Sequence, residues 1–121
     1  MFRFFLYFFI SWCFICMNSI SLSAGVEFFE IFPNTVDDAN MGYVTFRNTT
    51  CYYIDLSNAI FEDASHKEHI FPVGTIINAH SNMQIGRPTS KIILNNTDEI
   101  LYLYDPTHVL VDQFGYTSSD K

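Results

Sequence analysis

The sequence predicts an all-β protein, an antiparallel β-sandwich of seven to eight strands that follows an N-terminal hydrophobic signal segment. Three observations support this prediction. Short segments rich in aromatic and β-branched residues recur along the chain, clusters of Asn, Asp, Gly and Pro separate them, and no segment has an apolar stripe at helical spacing. Because two stacked sheets can bury alternating side chains without disulfides, the pattern favours a sandwich.

The first 24 residues have the pattern of a secretory signal peptide. Arg3 precedes an apolar run from Phe4 to Met17, and a small, polar stretch then leads to Ala24. As a helix the run would span about 21 Å, which is shorter than the ~30 Å hydrocarbon layer of a membrane. We therefore predict a signal peptide at 1–24 and a secreted or extracytoplasmic domain at 25–121. The alternative is a chain anchored in the membrane by an uncleaved N-terminal segment.

The net charge and the cysteine content restrict the classes of function that are expected for this chain. The 121 residues include 6 Lys+Arg and 13 Asp+Glu, a formal charge of −7 that becomes −8 when Arg3 is removed. This acidity argues against nucleic-acid binding, because phosphate backbones attract basic surfaces. Cys51 is the one cysteine of the predicted mature domain, so no internal disulfide is expected there. It is interpreted as a small apolar residue at a strand edge, with intermolecular pairing or a reactive thiol as alternatives.

Eight segments are predicted as strands, and turn clusters separate them. In chain order they are VEFFEIF, MGYVTFRN, CYYIDLSNAIFED, HIFP, TIINAHSNMQIG, KIIL, EILYLYD and HVLVDQFGY. The seventh alternates cleanly, with Leu101 and Leu103 on one face and Tyr102 and Tyr104 on the other, which predicts a strand in the middle of a sheet. The predicted core consists of Phe28, Ile31, Val44, Phe46, Ile54, Leu56, Phe61, Ile93, Leu101, Leu103 and Val111.

Several motifs follow one another in a recognisable order across almost all of residues 26–116. They are EIFPN, YVTFRNTT, IDLSNAIFED, HIFPVGTIINAHS and NNTDEILYLYDPTHVLVDQFGY. Together they resemble a lamin-tail domain, a family found at the ends of nuclear lamins and in many exported bacterial proteins, and this chain looks like an exported, prokaryotic-type member. The resemblance implies an immunoglobulin-like β-sandwich. The positions that match the family motif are Asn48, Asp55, Leu56, Ser57, Phe61, Asp63, Asp105, Pro106 and Asp112.

These motif residues are expected to have structural roles. Asp55 and Ser57 flank Leu56 at a bend, where a short acceptor can satisfy a backbone N–H while Leu56 fills the core. Asn48 closes a strand and tolerates the left-handed conformation that a tight turn requires. The Asp-Pro pair at 105–106 opens a turn, with the proline setting φ for the return strand.

The chain departs from the family pattern at four places. Asn58 and Ala59 stand where the family usually has glycine and tryptophan, and Tyr43 stands where a tryptophan is common. A glycine normally found near Ala79-His80 is also absent. The departures are compatible with the fold, but surface functions that depend on those side chains do not carry over.

No catalytic, cofactor or metal site is predicted. His66 and His69 enclose a carboxylate and could meet Asp63 or His80 as a further metal ligand, which suggests a small metal-dependent hydrolase as the alternative function. A solvated hairpin is preferred, because the spacing aligns two histidines only on a helix. The segment 37–40 is rich in side-chain oxygen atoms, and we interpret it as a polar loop rather than a calcium site.

The preferred function is a non-enzymatic interaction module, exported and acting in binding or structure at or outside the cell envelope. Its partner would be an unknown protein or envelope component, with no nucleic acid, no cofactor and no membrane contact beyond an uncleaved N-terminal segment. Strand addition at a sheet edge is one expected mode. Four tyrosines could be contact anchors or ordinary cross-strand pairs: Tyr52, Tyr53, Tyr102 and Tyr104. Asn48 and Asn95 fit the N-glycosylation pattern and are equally well explained as turn residues.

Overall fold

The computed structural model describes residues 25–33 and 42–117. This part of the chain forms nine strands and one short helix, and every strand pair is antiparallel. The elements are β1 (Val26–Phe32), β2 (Tyr43–Asn48), β3 (Ile54–Asp55), β4 (Ile60–Glu62), β5 (Glu68–Ile70), β6 (Ile76–Ile77), β7 (Asn82–Gly86), α1 (Arg87–Ser90), β8 (Glu99–Tyr104) and β9 (Leu110–Tyr116). Within the described ranges no helix has the length and apolar character needed to cross a membrane.

The strands form a three-stranded sheet in the order β1-β2-β7, a four-stranded sheet in the order β5-β4-β8-β9, and a two-stranded ribbon of β3 and β6. In the four-stranded sheet, Leu101 and Leu103 are fully buried while Tyr102 and Tyr104 lie on the opposite face. β8 pairs with β4 on one side and β9 on the other. The predicted all-β class and the predicted central position of this strand are therefore confirmed.

The core lies between the three-stranded and four-stranded sheets. Phe28 and Phe46 come from the first sheet and Phe61 from the second, and the Phe46 and Phe61 rings meet edge to face at 5.6 Å between centroids. Phe71 adds a second edge-to-face contact with Phe46 at 5.6 Å. Full burial of each such ring contributes about 1.5–3 kcal/mol, so this aromatic cluster holds the two sheets together without a disulfide.

The outer edges of β1 and β9 meet at a β-bulge. β1 shifts register between Phe28 and Glu30, which leaves Phe29 as the extra residue. At that point the backbone N–H of Phe28 donates to Oδ2 of Asp112 at 2.8 Å. Asp112, one of the family motif positions, thus satisfies an edge N–H that the bulge would leave unpaired, and it links the two sheets.

The structure corrects three details of the prediction. Two predicted strands are each divided in two, at Leu56–Ala59 and at Asn78–Ser81, and one predicted strand does not form, so the eight predicted segments become nine strands. The predicted strand at 91–94 is wrong, because this segment follows α1 and pairs with no described strand. Ile93 was expected in the core, but it is 50% exposed while Ile92 and Leu94 are buried. A shift of one residue in an extended segment exchanges its two faces.

The N-terminal segment 1–24 and the oxygen-rich segment 37–40 lie outside the described residues. The predicted signal peptide, its cleavage and the boundary at residue 25 therefore remain predictions.

Candidate binding surface

Asn48, the last residue of β2, joins three parts of the chain through a fully buried amide. Its Nδ2 donates to the carbonyl oxygens of Tyr52, Ile77 and Asn78 at 2.8, 3.0 and 3.1 Å. Its Oδ1 accepts from the backbone N–H of Thr50 at 2.9 Å. Asn48 lies in strand backbone, and the described residues with left-handed backbone are elsewhere, so the predicted left-handed turn role is wrong. Its role is that of a buried hydrogen-bonding hub.

The Asp-Leu-Ser motif forms the bend that was expected from its residue types. Oδ1 of Asp55 accepts from the backbone N–H of Ser57 at 2.9 Å and from its hydroxyl at 2.5 Å, and Leu56 between them is fully buried. These bonds lower the pKa of the Asp55 carboxyl, the hydroxyl contact being the largest cause. The Ser57 hydroxyl oxygen also accepts from the N–H of Gly74 at 2.8 Å. The motif is a structural element of the ribbon between β3 and β6.

The two hairpins of the four-stranded sheet use the same five-residue loop. Asp63 opens the loop between β4 and β5, and Asp105 opens the loop between β8 and β9. In each, Oδ1 of the aspartate accepts from the hydroxyl of the Ser or Thr two residues later, at 2.6 and 2.7 Å. It also accepts from two backbone N–H groups further along. The predicted turn at Asp105-Pro106 is confirmed, and the Asp63 loop repeats it.

Each of these loops places a histidine in the left-handed region next to the outer face of the sheet. His66 has φ 67° and its Nδ1 lies 2.7 Å from Oε1 of Glu62. His108 has φ 66° and its ring lies 5.6 Å from that of Tyr104. The repeated spacing Asp-x-Ser/Thr-His, at 63–66 and 105–108, is the sequence signal that would have identified both loops.

The outer face of the four-stranded sheet carries a continuous apolar row. The register places Ile70, Ile60, Tyr104 and Leu110 side by side on β5, β4, β8 and β9. Ile70 is 56% exposed, Leu110 is 46% exposed and Tyr104 is half-buried, whereas Ile60 between them is buried. Ile100 extends the surface along β8 with 43% exposure. We call this surface, residues Ile60, Glu62, Glu68, Ile70, Ile100, Tyr102, Tyr104, Leu110 and Gln113, the outer face.

A second row on the outer face is acidic and aromatic. Glu68, Glu62, Tyr102 and Gln113 lie side by side in register. Burial raises the pKa of the Tyr104 hydroxyl, and the charges of Glu62 and Glu68 raise it further. None of the residues that define the outer face is lysine or arginine. The negative potential of this surface is therefore not compensated by a neighbouring cationic side chain within it.

The rings of Tyr102 and Tyr104 stack on each other at 6.0 Å between centroids, with an interplanar angle of 23°. Their partners across the strands are glutamate, glutamine and aliphatic residues. Both tyrosines thus belong to cross-strand pairs, as one of the two interpretations had it, but with non-aromatic partners, and their rings stack on each other along one strand. Tyr53, on another surface, is 51% exposed.

A cleft of about 410 Å³ lies at one end of the sandwich, lined in part by Ala64, Asn95 and Glu99. The Glu99 carboxylate accepts from the Ala64 N–H at 3.2 Å and from the Asn95 amide at 2.9 Å. The Tyr116 hydroxyl donates to the Asn95 carbonyl at 2.5 Å, and burial raises the pKa of Tyr116 to about 12. These polar groups bond to one another between the β4–β5 loop, the segment around β8 and the end of β9, so we interpret the cleft as a structural contact between these segments.

The structure does not bring His66 and His69 together as metal ligands. His66 lies in the loop beside the outer face, whereas His69 on β5 alternates to the inner side and contacts Phe71 edge to face at 5.2 Å. Burial lowers the pKa of His69, and its buried Nε2 has no hydrogen-bond partner among the residues that the structure describes. In the described ranges, no three His, Cys, Asp or Glu side chains are arranged to hold a metal ion.

Asn48 is buried, whereas Asn95 and Cys51 are exposed. Asn48 is fully buried and its amide is bonded, so it cannot accept a glycan in the folded chain. Asn95 is exposed. Cys51 is exposed and lies in the bend after β2.

A comparison with protein-family models finds the Lamin Tail Domain, matched over residues 21–118. This match includes all nine strands. The chain belongs to the lamin tail domain family. A comparison with curated proteins finds no match.

The two positions where this lamin tail domain lacks a family glycine both have left-handed backbone. Asn58 has φ 64° and His80 has φ 52°. Asparagine tolerates this region better than most residues, and histidine is also enriched there. Ala59, in place of the usual tryptophan, is fully buried. The departures are thus accommodated by an immunoglobulin-like sandwich.

Proposed function

We propose that this lamin tail domain is a non-enzymatic binding module that contacts a protein partner through the outer face. The observation that carries the proposal is the apolar row across all four strands, with Ile70 and Leu110 at its ends and Tyr104 between them. Adjacent strands lie about 4.8 Å apart, so the row extends over about 14 Å. An exposed apolar patch of this kind, bordered by polar residues, is typical of an interaction site.

The dimensions of the outer face suit the centre of an interface. The three outward residues of β8, Ile100, Tyr102 and Tyr104, span about 14 Å along the strand. Tyrosine is among the residue types that carry most of the binding energy at such centres, and the core of an interface is more apolar than its rim. The surrounding loops would complete the roughly 800 Å² per partner of a standard interface.

The hydrogen bonding of the acidic residues supports a binding role rather than catalysis. Asp63 and Asp105 hold their own loops, and Asp112 holds the edge of β1. Each of these carboxylates is thereby used in the fold. A catalytic acid or base would need a free position in a cleft beside the reacting group.

The proposal includes export, because Arg3, the apolar run and Ala24 form a signal-peptide pattern. Membrane anchoring by an uncleaved N-terminal segment is the alternative location. Cell fractionation and the intact mass of the purified chain distinguish the two: loss of residues 1–24 supports secretion, and a retained segment in the membrane fraction supports anchoring.

Peptide selection and mapping test the binding role. We would select dodecapeptides from a random display library against the full chain and map each enriched peptide by amide chemical shifts. We expect the shifts to fall on β4, β5, β8 and β9. Ile70→Ser should weaken binding about tenfold, as expected for the loss of one buried aliphatic side chain. The matched control is Val73→Ser, since Val73 is 82% exposed and lies off the sheet.

Two results would refute the proposal. One is a set of peptides that shift β7 or the end cleft instead of the outer face. The other is equal affinity of the selected peptides for the Ile70→Ser variant and the unmodified chain.

A further inference from the structure

The second row of the outer face contains an arrangement that sheet stability does not explain. Glu62 and Glu68 lie directly opposite each other on β4 and β5. Like charges in opposite positions of neighbouring strands destabilise a sheet. Glu62 is also 7% exposed, so its carboxylate is largely removed from water, whereas Glu68 opposite it is exposed.

Within the described ranges, the polar contact of the Glu62 carboxylate is with a histidine. Its Oε1 lies 2.7 Å from Nδ1 of His66, whose side chain is 82% exposed. A single imidazole carries at most one positive charge, so it cannot balance both glutamates. Lys67, the nearest lysine in sequence, lines a second cleft, together with Asp63, Ile93 and Glu99. The charge of the outer face is thus left for another molecule to balance.

Tyr102 lies beside this negative charge. It is opposite Glu62 on β4, and its ring stacks with that of Tyr104. The faces of tyrosine rings attract cations, and the attraction increases where water is partly excluded. Two carboxylates and two stacked rings therefore form one surface that favours a lysine or arginine side chain, next to the apolar row that favours an aliphatic one.

We infer that the partner of the outer face is a basic protein segment, in which a lysine or arginine lies over Tyr102 beside Glu62 and Glu68. This inference rests on the proposed function. Tyr102 belongs to the acidic row and Tyr104 to the apolar row, and the two residues are two positions apart on β8. The distance between the rows is therefore about 7 Å, which equals the separation of residues i and i+2 in an extended peptide. The segment that fits has an apolar residue two positions from a basic one, so that the apolar side chain covers the row of Ile70 and Tyr104.

Two matched peptides test the inference with the full chain. The basic peptide repeats Leu-Ser-Arg-Ser three times, and the acidic peptide replaces each Arg with Glu. We expect amide shifts at Tyr102, Tyr104 and Glu62 with the basic peptide and none with the acidic one. Binding of the basic peptide should weaken as salt is raised, because exposed charges are screened.

Charge reversal on the protein separates local contact from overall charge. Glu68→Lys should weaken the basic peptide about fivefold, since it places a cation where the peptide's arginine is to lie. Asp98→Lys is the matched control: it makes the same change in net charge at an exposed residue in the loop before β8, and it should leave affinity within about twofold. Equal effects of the two variants, or equal binding of the acidic peptide, would overturn the inference.

The outcome also separates this inference from the proposed function. If library peptides bind the outer face and lose affinity with Ile70→Ser but carry no basic residues, the binding role stands and the inference fails. If sedimentation shows a dimer of the chain that Ile70→Ser dissociates and the basic peptide does not enter, the occupant is a second copy and the inference fails. If no binder contacts the outer face, both fail.

Discussion

Replacement of Asn48 by alanine tests how much stability one buried amide contributes to this fold. The change removes the donor that meets the Ile77 carbonyl at 3.0 Å in buried surroundings and the acceptor that meets the Thr50 N–H at 2.9 Å. Leaving a buried polar group without a partner costs about 1–3 kcal/mol. Two such groups give a loss of about 3 kcal/mol, a large part of the 5–15 kcal/mol that stabilises a typical domain.

Urea unfolding, followed by far-ultraviolet circular dichroism, measures this loss. We expect Asn48→Ala to lower the midpoint strongly with an unchanged slope, since the surface exposed on unfolding stays the same. Asn82→Ala is the control, because Asn82 is exposed and makes one 3.4 Å contact with Arg47. It should change the free energy of unfolding by less than about 0.5 kcal/mol. A loss below about 1 kcal/mol for Asn48→Ala would refute the hub interpretation.

Three further variants test the sheets and the buried histidine. Leu103→Ala should lower the free energy of unfolding by about 2–5 kcal/mol, since Leu103 is fully buried in the central strand. Asp112→Ala should lower it by about 1–3 kcal/mol, because the Phe28 N–H loses a charged acceptor. Because burial lowers the pKa of His69, the unfolded chain binds its proton first as pH falls. The free energy of unfolding should therefore fall below about pH 6.5, and less so in His69→Phe.

Urea titrations check all three, and each has a contradicting result. A loss from Leu103→Ala no larger than that from Tyr102→Ala would contradict the assignment of the two faces of β8. An Asp112→Ala variant as stable as the unmodified chain would show that the link to β1 contributes nothing. Parallel pH profiles for the unmodified chain and His69→Phe between pH 5 and 7 would exclude His69 as the source of the acid sensitivity.

Local residue patterns were sufficient for much of the fold. The alternation of Leu101, Tyr102, Leu103 and Tyr104 predicted both the faces of β8 and its central position, because side chains in a strand alternate with period two. The Asp-Leu-Ser bend and the Asp-Pro turn were also predicted correctly, since an aspartate bonds its own backbone over two to four residues. Such interactions involve only neighbouring residues in the chain.

The prediction failed where distant segments decide the outcome. The segment 91–94 has the composition of a strand, yet its preceding helix directs Ile92 and Leu94 inward and leaves Ile93 exposed. Asn48 resembles a turn residue in sequence, but its buried amide donates hydrogen bonds to carbonyl groups up to thirty residues away. Neither the helix geometry nor these partners is visible in the local pattern.

The order of polar and apolar residues along this chain is enough to establish its all-β class, its turns and the inward side of its best strands, because these depend on alternation and on short-range hydrogen bonds. The outer face depends on register. Ile70, Ile60, Tyr104 and Leu110 become one row, and Glu62 comes to face Glu68, only when four separate strands pair at particular residues. A shift of one position in any pair would exchange its faces and remove the surface, so the outer face is a property of tertiary packing.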